Sequence, residues 1–394
     1  MAYLKKHLFL WTYITKGEIP ECYKELAIQS KIYAIKNNIN NSKKLPLVNT
    51  VSLFPKFISP KITCFDEYNL KTIKHYGFEG AGIYIDIEKN ETIDTYMSSH
   101  FKTQLRKNIK RYINRLEKSF DIKYEYNFGN ISQSKYDFLM TALKTMLTKR
   151  FEQKNMTNIF LKKWDEQIKG LHNSIIKKKA SLFVIYDGEK PISISLNYHE
   201  SNTIFFGHSG SFDIDYIKFG LGHLDNYLQL DWCLKNKYKF LDLGTGILDY
   251  KKKWCNTFYD FDYHLFYKKK SILAFIILSF EIFKIKIKNT IKLINPKGVI
   301  SKIKKILNYK NDFKPNSVPN YNIETIQTQK INKTLLKEIN INTTEYQTLR
   351  LPIYNYLYTS QENIKDISVY KIENELQTFL VQGKKNTLKV IFNI

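Results

Sequence analysis

Cysteine is scarce in this chain. Four occur in 394 residues, Cys22, Cys64, Cys233 and Cys255, and no two form a Cys-x-x-Cys pair. That spacing argues against a zinc site, and so few thiols in so long a chain exclude a disulfide scaffold. A reducing, cytoplasmic setting fits this usage. Long apolar runs are missing as well. The longest, Ile272 to Phe280, is too short to cross a bilayer and is followed by Glu281. Residues Met1 to Trp11 hold two lysines and a short apolar patch, but no small-residue cleavage site follows, so no secretory leader is read there. Internal repeats are not visible. Acidic residues are outnumbered, 37 Asp and Glu against 62 Lys and Arg, which leaves a formal net charge of +25.

That charge favours anionic partners: nucleic acid, an anionic membrane surface, or a phosphate-bearing small molecule. A Lys-rich solvated surface accounts for it equally well. What is abundant is apolar and aromatic. Apolar residues make up 43% of the chain, with 28 Tyr and 26 Phe, enough for a large core. The length predicts two or three domains.

Residues 36–46 read as a loop. Ile83 to Ile87 alternates as a short strand. Residues 98–118 read as a helix, with Phe101, Leu105, Ile109, Tyr112 and Leu116 on one face and Lys102, Arg106, Lys107, Lys110, Arg111, Arg115 and Lys118 on the other. Ile122 to Tyr126 reads as a strand, followed by helices at 134–149 and 159–178. The second of these puts Phe160, Trp164, Ile168, Leu171 and Ile175 on one face. A meander follows: strands 181–186 and 192–198 around the turn Asp187-Gly188-Glu189-Lys190, a second turn at 200–203, and a strand from Ile204 to His208. Lys218-Phe219-Gly220-Leu221-Gly222 then opens a helix to about Asn236. A strand at 240–243, a short helix holding Tyr250 and Trp254, and a strand at 258–267 complete an α/β mixture. A basic helix spans 271–294, a linker 311–322, and 323–394 reads as a small α/β module.

Two features carry chemistry. Glycines at 220 and 222, between a strand and a helix, allow close backbone approach, and the amides of a helix start can hold a pyrophosphate. A simple turn is the plainer reading of the same glycines. The second feature is the run Phe240-Leu-Asp-Leu-Gly-Thr-Gly-Ile-Leu-Asp-Tyr-Lys-Lys-Lys-Trp254. With His208 and Ser209 at a strand end, Gly220 before a long helix, Asp242, Gly246 and Tyr250-Lys251-x-x-Trp254, the segment resembles the GNAT superfamily of acyltransferases. More narrowly, it looks like the CelD-like acetyltransferase branch, which is related to FemAB-type transferases. The resemblance is most specific over about sixty residues, Ile204 to Tyr267, and weaker from 83 to 300. Ile217 stands where the superfamily loop carries Arg or Gln, and Phe219 where this branch often has proline.

The resemblance implies a GNAT-like α/β fold of two tandem lobes: a degenerate one at 1–120 and the acyltransferase domain at 121–270. A basic amphipathic helical extension at 271–310 and a linker with a small C-terminal module at 311–394 would follow. It implies transfer from acyl-CoA, acetyl-CoA being the expected donor, with no metal, to an amino or hydroxyl group, often on a sugar or a cell-surface polysaccharide precursor. Lys218, Gly220, Leu221, Gly222, Gly246 and Lys251 are the expected cosubstrate contacts.

Tyr250 falls where many members carry the donor that protonates the departing thiolate, a task that suits a phenol. Core packing of Tyr250 with Trp254 at i, i+4 competes with that reading. His208 is the better base on intrinsic pKa. Asp242, at the end of a buried strand, is either a base, a substrate anchor or a loop brace. Lys251 either neutralises a phosphate or is solvated. The basic helix at 98–118 and the one at 271–294 leave two alternatives open. One is aminoacyl transfer from charged tRNA. The other is a non-catalytic binding protein, on the inner face of an anionic membrane or on nucleic acid, that keeps the scaffold.

Overall fold

The computed structural model describes residues 3–28, 31–35, 46–62, 67–89, 91–200, 203–293, 321–326 and 335–392. All but the last residue of the loop at 36–46, most of the linker at 311–322, the centre of the turn at 200–203 and Cys64 lie outside them. In chain order come β1 (Leu4–Leu8), α1 (Phe9–Lys16), β2 (Tyr23–Ile28), β3 (Lys31–Ile35), β4 (Val48–Pro55), β5 (Ser59–Ile62) and the long β6 (Tyr68–Tyr84). Then follow α2 (Ile93–His100), α3 (Thr103–Ser119), β7 (Ile122–Asn127), α4 (Gln133–Gln153), α5 (Ile159–Lys162), α6 (Trp164–Ile168) and α7 (Leu171–Ile176). The matched strands β8 (Ala180–Asp187), β9 (Lys190–Glu200) and β10 (Ile204–Phe212) lead to α8 (Leu221–Lys235), β11 (Phe240–Thr245), α9 (Asp249–Trp254), β12 (Thr257–Lys268) and α10 (Ile272–Leu293). Last are β13 (Tyr321–Ile326), β14 (Leu336–Glu338), α11 (Arg350–Ser360), β15 (Ser368–Ile372), β16 (Thr378–Gln382) and β17 (Thr387–Phe392). The architecture is mixed α/β.

Contacts divide the chain into two units. One gathers residues 1–93, 197–208 and 232–310; the other gathers 94–196, 209–231 and 311–394. This is not the division expected from the sequence, in which 1–120, 121–270, 271–310 and 311–394 stood apart. The reason lies in shared cores rather than in linkers.

In the first unit the strands run in the order β1-β4-β12-β6-β11-β10. β12 alternates its side chains between two apolar layers, as a strand must. Tyr263 and Leu265 pack with Val48 under Ala274, Leu278 and Ile285 of α10. His264 and Phe266 point the other way and meet Tyr23, whose hydroxyl lies 2.7 Å from His264 Nδ1. Phe54 stacks on His264 and reaches Phe9 of α1. A small antiparallel sheet, β3-β2-β5, belongs to the same unit.

The second unit holds β9-β8-β7, with β7 antiparallel to β8, and a five-stranded antiparallel sheet, β13-β17-β16-β15-β14. The C-terminal segment is therefore not a free-standing addition. Leu349, Ile353, Tyr354, Leu357, Val369 and Val381 are buried in one cluster with Leu116, Phe120, Phe183, Tyr216, Phe219 and Leu221. Tyr354 lies against Phe120 and Tyr216, and Arg115 of α3 sits 4.3 Å from the ring centre of Tyr358.

Two expected helices are broken. The span 98–118 is α2 and α3, parted at Phe101 and Lys102. The span 159–178 is three short helices, broken first at Lys163, at φ −115°, and again before Leu171, where Gly170 takes φ +74°.

Candidate active site

The site residues read from the sequence fall into two groups, one in each unit. In the first unit, β10 pairs parallel to β11 through Ile204–Phe240, Phe205–Leu241 and Phe206–Asp242, and the register ends there. On its other side β11 pairs antiparallel to β6 and bulges between Asp242 and Thr245. The carboxyl ends of parallel strands are where α/β sheets place their ligands. Asp242 stands at that end, only 3% exposed. Its Oδ1 accepts from the Gly244 amide at 2.9 Å and from the Tyr259 hydroxyl at 2.7 Å. Burial pushes the carboxyl up to about 6, against the opposing pull of those two donors and of Lys251.

Lys251, on α9, is equally buried. Its ammonium donates to the carbonyls of Gly244 at 2.9 Å and Thr245 at 2.8 Å. Burial lowers its pKa, while the Asp242 charge works the other way. The solvated-lysine reading is thereby excluded, and the charge is directed inward at the turn. Gly244 and Gly246 both adopt positive φ, +77° and +85°, and the Gly246 amide donates to the Glu79 carbonyl. Lys251, Asp242 and this turn form a closed bracket.

Room for the bracket comes from β6. A Cβ on Gly80 would fall inside the Tyr259 ring, and one on Gly82 would strike the Phe240 ring. Neither Tyr259 nor these two glycines stood out in the sequence. The available signal was a Gly-Ala-Gly run inside a strand, which marks close approach of a neighbouring group.

The i, i+4 pair on α9 divides. Trp254 is 2% exposed and packs inside, whereas Tyr250 is 38% exposed. The core-packing reading therefore holds for Trp254 and not for Tyr250. His208, just past the paired part of β10, is half-buried with its ring edge-on to Tyr198. Burial lowers its pKa to about 4. The intrinsic ranking of bases is thus reversed: at neutral pH His208 is uncharged and weakly basic, while Asp242 sits nearer the working range.

In the second unit β10 ends at Phe212. Asp213 caps a 3-10 turn, Ile214–Phe219, by accepting from the Asp215 amide at 3.1 Å, and it pairs with Lys190 at 2.6 Å. Gly220 closes the turn at φ +64°, and its carbonyl receives the amides of His223 and Leu224. A Cβ on Gly220 would come within 2.6 Å of the Tyr112 ring. Gly222 is exposed, with nothing nearer to such a Cβ than Phe212 at 3.7 Å. Leu221 is fully buried, so what it offers a ligand is its backbone, and Lys218 is exposed. Beside Phe212, Asp213 and Ile214 opens a cleft of about 570 Å³. Phe138, Met146 and Pro191 give it an apolar lining, and Lys149 and Arg350 stand at it.

Residues 103–252 match the family described as the acetyltransferase (GNAT) domain. No curated protein matches the chain. Among solved structures it is similar to a conserved protein of unknown function from Bacteroides thetaiotaomicron, at 13% identity over 52% of this chain and 63% of that one, with a TM-score of 0.37. The chain thus spans a little under two thirds of that protein. It is also similar to FemX, at 8% identity, 55% and 72% coverage and a TM-score of 0.40. A third is a conserved protein of unknown function from Staphylococcus epidermidis, at 10% identity, 56% and 73% coverage and a TM-score of 0.29. The family match takes in β10, the glycine turn, α8, β11, Asp242, Tyr250 and Lys251, and a domain of this kind uses an acyl-CoA-type cosubstrate. Residues 103–252 of the chain thus match a GNAT acetyltransferase domain.

Proposed function

We propose that the protein transfers an acyl group, acetyl in the first instance, from coenzyme A to an amino or hydroxyl group of a sugar or cell-surface polysaccharide precursor. The observation that carries this reading is the start of α8. A left-handed Gly220 turns the chain, and the exposed Gly222 adds no side chain over the first turn of a 15-residue helix. First-turn amides and the helix dipole suit a pyrophosphate. In this reading the backbone of Leu221 and Gly222 and the ammonium of Lys218 hold the cosubstrate. Tyr250 is the thiolate donor because its ring reaches solvent. Asp242 and His208 are the candidates for taking the acceptor's proton. Gly246 and Lys251 act through the bracket, fixing the turn from which α9 and Tyr250 start. The sugar acceptor follows from the resemblance to the CelD-like branch, and so does a first, reduced lobe in residues 1–120.

The test is calorimetric titration of the purified chain with acetyl-CoA, followed by a thiol-release assay over amino sugars and hydroxyl acceptors. Binding with saturable thiol release on one acceptor is expected. A protein that binds neither acetyl-CoA nor coenzyme A would overturn the reading. Acyl transfer seen only with charged tRNA would replace it with the aminoacyl alternative.

A further inference from the structure

α10 is apolar on two opposite sides, and only one of them is used. Ala274, Leu278, Glu281, Ile285 and Asn289 recur every three or four residues and are buried on β4, β6 and β12. Half a turn away runs a second stripe, Ile272, Ile276, Phe280, Phe283, Ile287 and Ile291, at the same helical spacing. Each of these six is between 43% and 82% exposed. At 1.5 Å per residue the helix is about 33 Å long, so the stripe is long as well as wide. An isolated exposed Leu or Phe needs no explanation, but a continuous row of large apolar residues does.

The helix cannot roll to hide this row. Glu281 receives the Lys6 ammonium at 2.7 Å and the Lys284 ammonium at 3.2 Å. Asn289 donates to the Lys74 carbonyl and accepts from the Tyr76 amide. The bonds from Lys6, Lys74 and Tyr76, which lie outside the helix, fix the rotation of α10 about its own axis and hold the Ile and Phe row outward.

Charge decides the kind of partner. Lys284 and Lys288 flank the row on one side and Lys286 on the other, all exposed, and Lys268-Lys269-Lys270 lie exposed just before the helix. The one acid on α10, Glu281, is buried and paired. The Lys284 ammonium lies 4.1 Å from the ring centre of Phe280, so its stem already runs along the apolar row. Two copies packed row to row would bring like charges together with no carboxylate on the helix to offset them. Among the described residues no helix is long and apolar enough to cross a membrane. An apolar row bordered by lysines and lying parallel to the protein surface fits a helix at the headgroup boundary of a bilayer.

We propose that α10 docks the protein on an anionic lipid surface, with Ile272, Ile276, Phe280, Phe283, Ile287 and Ile291 entering the headgroup and upper acyl region and Lys286 and Lys288 meeting lipid phosphates. This surface is separate from the acyl-transfer residues and its test does not depend on them.

Flotation of the full chain with vesicles provides that test. The wild type should partition onto phosphatidylglycerol-containing vesicles and much less onto pure phosphatidylcholine. The double variant Ile276→Glu, Phe283→Glu places two charges in the row and should lower partition by at least about 10-fold. Lys286→Glu with Lys288→Glu should remove the preference for the anionic lipid. Both variants alter outward side chains, so their thermal midpoints should match the wild type, and this is checked on the same samples. Three results would overturn the proposal. One is wild-type protein that floats with neither vesicle. Another is folded Ile276→Glu, Phe283→Glu protein that floats as well as the wild type. The third is a wild-type dimer in sedimentation velocity that the same double variant dissociates, which would assign the row to a second copy of the chain.

Discussion

The bracket around Asp242 and the turn that opens α8 are both glycine-rich, and both lie in the part of the chain that matches the acetyltransferase domain. They are otherwise built from opposite materials. In the bracket the polar side chains are spent on the protein itself. Lys251 holds two carbonyls, Asp242 holds an amide and a phenol, and both are almost fully buried. At the turn the side chains withdraw. Leu221 goes into the core, Gly222 has none, and what faces outward is backbone at the start of a helix. The difference teaches where to look for each task. Conspicuous charged letters of a motif can be the frame, while the anchor proposed for the cosubstrate is written only as glycine.

The largest effect should come from breaking the frame. Lys251→Met leaves the carbonyls of Gly244 and Thr245 without their ammonium donor and the buried Asp242 without its nearby cation, and should cost about 3–5 kcal/mol, the scale for removing one partner of a buried charge. Urea unfolding measures it. A loss under about 1 kcal/mol, the range of surface changes, would mean that Lys251 is no brace.

Next is Tyr250. Tyr250→Phe should lower turnover about 10²-fold with the unfolding midpoint unchanged, as expected for a lost general acid. Because the ring is partly exposed, Tyr250→Ala should cost little stability, about 1 kcal/mol or less. A Phe variant with wild-type turnover would leave Tyr250 outside the chemistry.

At the turn, Gly222→Asp should weaken acetyl-CoA binding by about 10-fold or more, since it sets a carboxylate at the proposed anion position. A carboxylate in the first turn of a helix favours the helix, so stability should hold or rise slightly. Gly220→Ala is the control: at φ +64° and against Tyr112 it should lose about 1–2 kcal/mol through strain. Equal acetyl-CoA affinity in Gly222→Asp and wild type would remove the anion site from α8.

The smallest effect is a gradient that separates the units. In the first, burial lowers His75, His208 and His264 to about 4 and His199 to about 3. Each binds fewer protons folded than unfolded, so its contribution is intact above pH 6.5 and is lost as pH falls toward 4. In the second unit, burial raises Asp215 and Asp225 to about 6. These bind more protons folded, so their contribution is greatest below pH 3.8 and fades as pH rises through 6. Asp242 and Asp262, both raised by burial, pull the first unit the same way, two carboxyls against four imidazoles. Hydrogen exchange corrected for intrinsic rates should therefore show protection in the first unit falling more between pH 7 and 5. Equal losses in both would contradict these assignments.

The stretch from Ala180 to Lys268 was readable because each element there has one strong local cause. Apolar runs make strands, Asp187-Gly188 makes a turn, and Gly220 starts a helix. The first eighty residues were not. β4 buries Asn49 and Thr50 among its apolar residues, and β6 exposes much of its first half, so neither shows clean alternation. Only the end of β6, at Ile83, carried the pattern. The role of Lys251 was hidden for a different reason. Three lysines in a row look alike in sequence, and only the carbonyls of residues six and seven positions earlier distinguish the first. The partnership of Tyr354 with Phe120 spans more than two hundred residues and has no local signature at all.

That last partnership has a consequence for how the chain comes into being. The core of the second unit is completed by Leu349, Ile353, Tyr354 and Val381, which leave the ribosome long after Leu116, Phe120 and Phe183. Until they arrive, the apolar faces of α3, β8 and the turn before α8 have no cover. Folding of this unit is therefore tied to late, distant contacts, the kind that form slowly and leave an exposed intermediate on the way. The matched segment 103–252 is a unit of descent without being a unit of folding. A fragment cut to it would emerge with the apolar surface that α11 and the last sheet are there to close.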